Sequence, residues 1–284
     1  MIHPVTPKDE PRLIAELRKS LDENAYLLGL IADYSLLELD RMPWGRFYWY
    51  ETDNGLEGTL YADITGLLVL TPSSSRAIEA FAEMVVQEPV PASRIIARND
   101  CVSHFYQALS DLSSRWRGPH RTFDEYAMLV HPANLPDLHE PQLRCAEADE
   151  ARAVAEGSAA AMKEELGLRV NGEDFESLVR SKNDLIRRRR YFVLEEGGHI
   201  IFQAYLSACL PEVGQIQGVW VPPESRSRGI ATRCLAEMCR RSMGLCNHFV
   251  LRVQKANLPA VAVYLKLGFK PFLDSRSVWL EEET

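Results

Sequence analysis

The chain has 284 residues, 46% hydrophobic and 25% charged, a composition that sustains one large or two medium domains with a sizeable core. A formal net charge of −8 and a pI near 5.5 argue against general nucleic-acid binding and against docking on an anionic membrane surface. No apolar run approaches the ~18 residues that span a membrane, and the N-terminus MIHPVTPKDE has no basic region followed by an apolar stretch, so a cytoplasmic protein is expected.

The N-terminal half alternates strand and helix signals. Strands are expected at Arg46 to Glu51, Leu56 to Ile64 and Leu67 to Leu70, a helix at Arg76 to Val86, and a strand at Arg94 to Ala97. A helix at Asp100 to Leu109 and a strand at Glu125 to Val130 complete the half. Residues 132–141 lie in a stretch with three prolines and little periodicity, which reads as an extended linker.

Beyond the linker the order is again αβ. Gln142 to Ala146 is a short strand, Asp149 to Glu165 a helix rich in Ala and Glu, and Gly172 to Arg189 contains a second helix. The run Arg187 to Arg190 suits an exposed helix end before a strand. Tyr191 to Glu195 and Ile200 to Ser207 alternate like strands around the turn Glu196-Gly197-Gly198. Val219, Trp220 and Val221 then run as an apolar strand into the breaker Pro222-Pro223. Next comes Arg226-Ser227-Arg228-Gly229-Ile230-Ala231, with Ile230, Cys234, Leu235, Met238 and Cys239 at helical spacing. A strand at Phe249 to Gln254, a helix capped by Asn257 and stopped by Gly268, and strands near 269–273 and 276–281 close the chain.

Strand, glycine-bearing turn and helix N-terminus together form a place to hold phosphate. The first N–H groups of a helix have no internal partner, and the helix dipole favours an anion there. Gly229 permits close backbone approach, and Arg226 and Arg228 add positive charge. Other chemistries lack their signatures. The six cysteines form no C-x-x-C pair and the seven histidines no H-E-x-x-H, so no metal is expected, and Cys234 and Cys239 read as buried reduced thiols. A G-x-S-x-G nucleophile turn is also absent.

Taken with Asn257-x-x-Ala260-x-x-x-Tyr264-x-x-x-Gly268-Phe269, the Arg226 to Ala231 turn makes the C-terminal half resemble the GCN5-related N-acetyltransferase (GNAT) superfamily. The whole chain resembles bacterial tandem GNAT-like proteins, through Lys163-Glu164-Glu165-Leu166-Gly167 and Gln215 to Val221. The resemblance implies an α/β (α+β) fold of two tandem GNAT-like domains, each a mixed, mostly antiparallel sheet flanked by helices. It divides the chain into a degenerate domain at 1–131, a linker at 132–141 and an acetyltransferase domain at 142–284.

The same resemblance implies acetyl-CoA as cosubstrate, with no metal. Val219, Trp220 and Val221 would line its pantetheine arm, and a backbone N–H near Val219 would face the thioester oxygen. Arg226, Ser227, Arg228, Gly229, Ile230, Ala231 and Thr232 would wrap the pyrophosphate, and Asn257 would touch pantetheine. Tyr264 would be the general acid, since a phenol with a pKa of about 10 is protonated at neutral pH. Family members often place Glu or His where this chain has Gln215 and Gln217, and a neutral amide does not accept the amine proton. Glu164 and Glu165 are the candidate bases. The expected reaction is direct acetyl transfer to a primary amine, of a small molecule or a protein, in a ternary complex. The alternative is a non-catalytic acyl-CoA-binding regulatory or scaffold protein.

In the N-terminal half, Asn99 and Tyr106 repeat the seven-residue spacing of Asn257 and Tyr264. The matching turn, Thr71-Pro72-Ser73-Ser74-Ser75-Arg76, has no glycine. A duplicated domain that no longer holds CoA is expected.

Overall fold

One order of elements occurs twice along the chain in the computed structural model, which describes residues 1–41, 45–88, 90–118 and 120–280, with backbone alone at 40 and 41. The first pass runs β1 (Ile2–Pro4), α1 (Glu10–Arg18), α2 (Ala25–Arg41), β2 (Gly45–Thr52), β3 (Gly55–Asp63), β4 (Leu67–Leu70), α3 (Ser75–Gln87), β5 (Arg94–Arg98), α4 (Asn99–Leu112) and β6 (His120–Val130). The second runs β7 (Arg144–Cys145), α5 (Ala151–Leu166), α6 (Gly172–Arg187), β8 (Tyr191–Glu196), β9 (His199–Cys209), β10 (Val213–Trp220), α7 (Ile230–Arg241), β11 (His248–Gln254), α8 (Leu258–Lys266) and β12 (Lys270–Leu280). Each pass is one strand, two helices, three strands, then helix, strand, helix, strand.

Sequence patterning finds most of these elements and misses three features. Strand β1 and helices α1 and α2 lie in a region to which the patterning assigns no element; α2 carries a break at Ser35, with φ of 51° and ψ of 160°. The two strands expected at the C-terminus are one continuous strand, β12, over its described residues. The linker is not free. Its carbonyls at Pro136, Leu138 and Pro141 accept hydrogen bonds from Arg240 and Arg241 of α7, at 3.3, 2.9 and 3.2 Å. Glu140 also pairs with Arg233 at 3.1 Å. Glu237, between Arg240 and Arg241 at 2.8 and 2.7 Å, holds the two arginines in place.

Packing divides the chain into two units. The first contains Met1–Met128, Arg252–Leu258 and the residues from Pro271 onward; the second contains Leu129–Leu251 and Pro259–Lys270. The last strand therefore packs with the N-terminal part, although the chain order placed it in a domain from 142 onward. β12 runs antiparallel to β5, from Ser275 opposite Arg98 to Trp279 opposite Arg94. Val278 enters the apolar cluster of Phe81, Phe105 and Trp116. The Ser275 and Ser277 hydroxyls donate to Glu125 at 3.4 and 2.9 Å.

Within the second unit, β8 to β10 form an antiparallel meander, and β10 pairs in parallel with β11. Helix α7 turns Ile230, Cys234, Leu235, Met238 and Cys239 inward, all 3% exposed or less. Burying a side chain such as Leu or Met contributes about 1.5–3 kcal/mol each, so this face anchors the helix whose N-terminus forms the candidate site. On the other face, Val154 of α5 and Ile186 of α6 pack on Tyr191 and Val193 of β8. All six cysteines are free thiols.

Candidate active site

Strand β10 leaves its parallel neighbour halfway. Its register with β11 covers Val213, Gly214 and Gln215, while the pairing with β9 on the other side continues to Trp220. Two register shifts distort it, one between Gln215 and Ile216 and one between Gln217 and Trp220. Gly218 sits in the second with φ of 63°. A Cβ there would come within 2.2 Å of the Tyr205 ring, so glycine is required both by the backbone and by the close approach. The backbone at Val219 is thereby turned away from a regular ladder, beside Trp220.

Past Pro223 the chain reaches the start of α7 through two left-handed residues, Ser227 at φ 62° and Gly229 at φ 72°. A left-handed serine is strained, and such strain gathers at functional sites. No side chain caps the helix. The backbone N–H groups of Ser227, Arg228, Gly229, Ile230, Ala231 and Thr232 have no acceptor among the described residues; the first internal bond runs from Arg233 N–H to the Gly229 carbonyl at 3.1 Å. The loop from Arg226 to Gly229 is exposed. This is a row of unpaired donors at the positive end of a helix, the arrangement that binds an anion.

The two arginines assigned to that anion already have partners. The Arg226 guanidinium meets Glu164 at 2.7 and 3.0 Å, donates through Nε to the Val221 carbonyl at 2.9 Å, and stacks 4.8 Å from the Trp220 ring. Arg228 pairs with Glu196 through two bonds of 2.8 Å. Glu164 and Glu196 are held below the usual carboxylate range, chiefly by these hydrogen bonds. Two sequence expectations change in consequence. Glu164 is a partner of Arg226 and no free base, and the Val221 carbonyl is taken before any ligand arrives.

Tyr264 is 7% exposed on α8, its ring edge-on to Phe269 at 5.8 Å. Its hydroxyl makes no hydrogen bond among the described residues. Burial, and after it the charge of Glu165, push its pKa above the ordinary phenol value. Glu165, at the end of α5, keeps contact with solvent, yet desolvation by the surrounding protein and the neighbouring Glu164 raise its pKa, opposed by Arg226. The two residues assigned to catalysis thus lie within electrostatic reach of each other.

Gln215 is buried, and the Gln217 Oε1 accepts from the Tyr205 hydroxyl at 3.4 Å. Asn257 is half-buried in the turn before α8, its N–H donating to the Gln254 carbonyl at 3.0 Å, and packs with the first unit. Sequence reading passed over Gly218 and Tyr205. A glycine inside an apolar strand was the available signal, since it marks a bulge or a close approach. Among the described residues, no group of His, Cys, Asp or Glu is placed to hold a metal ion, and no helix is long and apolar enough to cross a membrane.

Residues 160–269 match the model of the Acetyltransferase (GNAT) family. A search of curated proteins gives no match. Among solved structures, a Drosophila protein superposes with a TM-score of 0.72 at 14% identity, over 100% of this chain and 99% of that one. A GCN5-related N-acetyltransferase from Sphaerobacter thermophilus gives 0.60 at 17%, over 98% and 94% of the two chains. A tandem GNAT protein from the clavulanic acid biosynthesis pathway gives 0.57 at 13%, over 98% and 97%. At such identities the likeness is one of fold, and it extends through both halves.

Proposed function

With a GNAT-family domain at residues 160–269 as the premise, we propose that this protein transfers the acetyl group of acetyl-CoA to a primary amine, directly and in a ternary complex. The run of unpaired N–H groups from Ser227 to Thr232 carries the reading, because a pyrophosphate is the group such a run satisfies. The distorted segment of β10 at Gly218 and Val219 receives the pantetheine arm. Arg226 and Arg228, pre-positioned by Glu164 and Glu196, frame the phosphates.

The amine nitrogen attacks the thioester carbonyl carbon, and the carbon–sulfur bond breaks. The backbone N–H near Val219 faces the oxygen as charge gathers on it. The Tyr264 hydroxyl, protonated and unengaged, gives its proton to the departing thiolate. Glu165, its pKa raised above the ordinary carboxylate value by desolvation and by Glu164, takes the amine proton directly or through water. The products are the N-acetylated amine and free CoA, with protons balanced.

A second reading, binding of acyl-CoA without turnover, draws on the amides Gln215 and Gln217 on β10, which supply no base. Calorimetry with acetyl-CoA and thiol release with a panel of primary amines separate the two. Binding with steady thiol release supports transfer; tight binding without release establishes the second reading.

A further inference from the structure

Beneath α5 and α6 lies a polar layer in which nearly every group has its partner. Gln203 donates to the Val154 carbonyl and to Ser158, at 3.2 and 3.1 Å. Ser158 meets the Tyr191 hydroxyl at 3.4 Å, and Tyr205 donates to Gln217. Lys182 of α6 is different. It is 4% exposed, and its Nζ lies 4.2 Å from the Tyr205 ring centroid and 5.9 Å from that of Tyr191. Among the described residues, no carboxylate pairs with it and no acceptor takes a hydrogen bond from it. Asp184, the nearest acid along its helix, is bonded to Arg188 at 2.9 Å.

The side chain is buried while its ammonium end keeps contact with solvent, and ring faces return only part of the hydration it gives up. The usual remedy is a carboxylate, and none of the described residues supplies one. The Tyr205 ring that carries the charge on one side rests against Gly218. Gly218 precedes Val219, where the thioester is proposed to sit. The unpaired cation is therefore one aromatic ring away from the reacting strand.

We propose that Lys182 anchors a carboxylate of the acceptor, so that the substrate class is an amine that also bears an acid, such as an amino acid. This rests on the acetyl-transfer reading above. The carboxylate completes the charge pair that the protein leaves open, the Tyr191 and Tyr205 rings shield it from water, and the amine of the same molecule is left toward Gln217 and the thioester. An acceptor of this kind carries both charges, the carboxylate for Lys182 and the amine for Glu165.

The test uses the full chain and matched acceptors that differ only in the carboxylate: phenylalanine against 2-phenylethylamine, leucine against 3-methylbutylamine, 6-aminohexanoate against pentylamine. Thiol release is expected to show a kcat/KM at least ~10-fold higher for the acid of one or more pairs, the scale of a charge-assisted hydrogen bond. Lys182→Met removes that preference through KM and leaves the affinity for acetyl-CoA, measured by calorimetry, unchanged. Lys182→Arg keeps part of it. The methionine variant is expected to melt at the same temperature or higher, since Lys182 has no carboxylate or hydrogen-bond partner among the described residues to lose. Equal turnover within every pair, a preference that survives in Lys182→Met, or acetyl-CoA binding with no acid accepted would each overturn the proposal. Failure of acetyl-CoA to bind at all would bring down the phosphate-site reading, and this one with it, by a separately visible result.

Discussion

Replacing Tyr264 by Phe removes one oxygen and nothing else on which the fold depends. The ring keeps its edge contact with Phe269, and because the hydroxyl has no hydrogen-bond partner among the described residues, no bond is lost. Stability is therefore expected to change by no more than about 0.5 kcal/mol. Turnover is expected to fall by about 10²–10⁴, the usual contribution of a placed general acid, which corresponds to roughly 3–5 kcal/mol of barrier. Tyr106 in the first half gives the control. Its hydroxyl donates to the Trp116 carbonyl at 2.8 Å and meets His120 Nδ1 at 2.8 Å. Tyr106→Phe should cost about 1–2 kcal/mol of stability, on the scale of the bonds removed, and leave turnover alone. Single-turnover acetyl transfer and thermal melting of both variants give the readouts. If Tyr264→Phe turns over at the wild-type rate while chemistry limits, Tyr264 is packing and the proton comes from elsewhere.

At the phosphate site, Gly229→Pro should abolish acetyl-CoA binding by calorimetry, because proline removes an N–H and excludes the φ of 72° seen there. Arg226→Ala should weaken binding by about 1–3 kcal/mol, toward the lower end because Arg226 gives up Glu164 in exchange. The pH profile of kcat/KM should show an acid limb set by Glu165: a base works deprotonated, so activity is lost as pH falls through its pKa, and that pKa is raised. Glu165→Gln should erase the limb, and Glu164→Gln should move it to lower pH by removing a like charge. Titration of the full chain should give one acetyl-CoA site, unaffected by Ser74→Ala; a second equivalent site would disprove the loss of binding in the first half.

What the sequence made legible is what is local. The apolar spacing of α7, the Gly197-Gly198 hairpin and the Gly229 turn each depend on neighbours within a few residues, and each is found where patterning placed it. The pairing of Arg226 with Glu164 spans 62 residues, and that of Arg228 with Glu196 spans 32. An exposed arginine reads the same whether it awaits a phosphate or holds a glutamate, so no pattern distinguishes the two. The pairing of β12 with β5 is invisible for a similar reason. Alternation tells which face of a strand is apolar, but many edges satisfy that requirement equally. Lys182 looks like any other lysine on an amphipathic helix until the Tyr191 and Tyr205 rings are seen around it.

The two halves share an order of elements and differ in what they leave unsatisfied. At the start of α3 the Ser74 hydroxyl accepts from Ala77 N–H at 3.2 Å, and the Glu57 carboxylate accepts from Ser74 and Thr52 at 2.6 and 2.7 Å. A carboxylate thus occupies the helix entrance where α7 leaves its donors open, and no left-handed residue turns the chain there. Strand β4 ends at Leu70, only one residue beyond its last pair with β5, so it has no free length like that of β10 from Ile216 to Trp220. Tyr106 is tied twice where Tyr264 is untied. In the first half the Ser74 cap and the Tyr106 hydroxyl are satisfied by the chain itself. In the second, the α7 N–H groups and the Tyr264 hydroxyl have no partner among the described residues, at a cost in stability that a bound ligand offsets. Restoring a glycine at Ser74 alone would therefore not create a CoA site: Glu57 would still face the incoming phosphate, and the strand that holds pantetheine would still be missing.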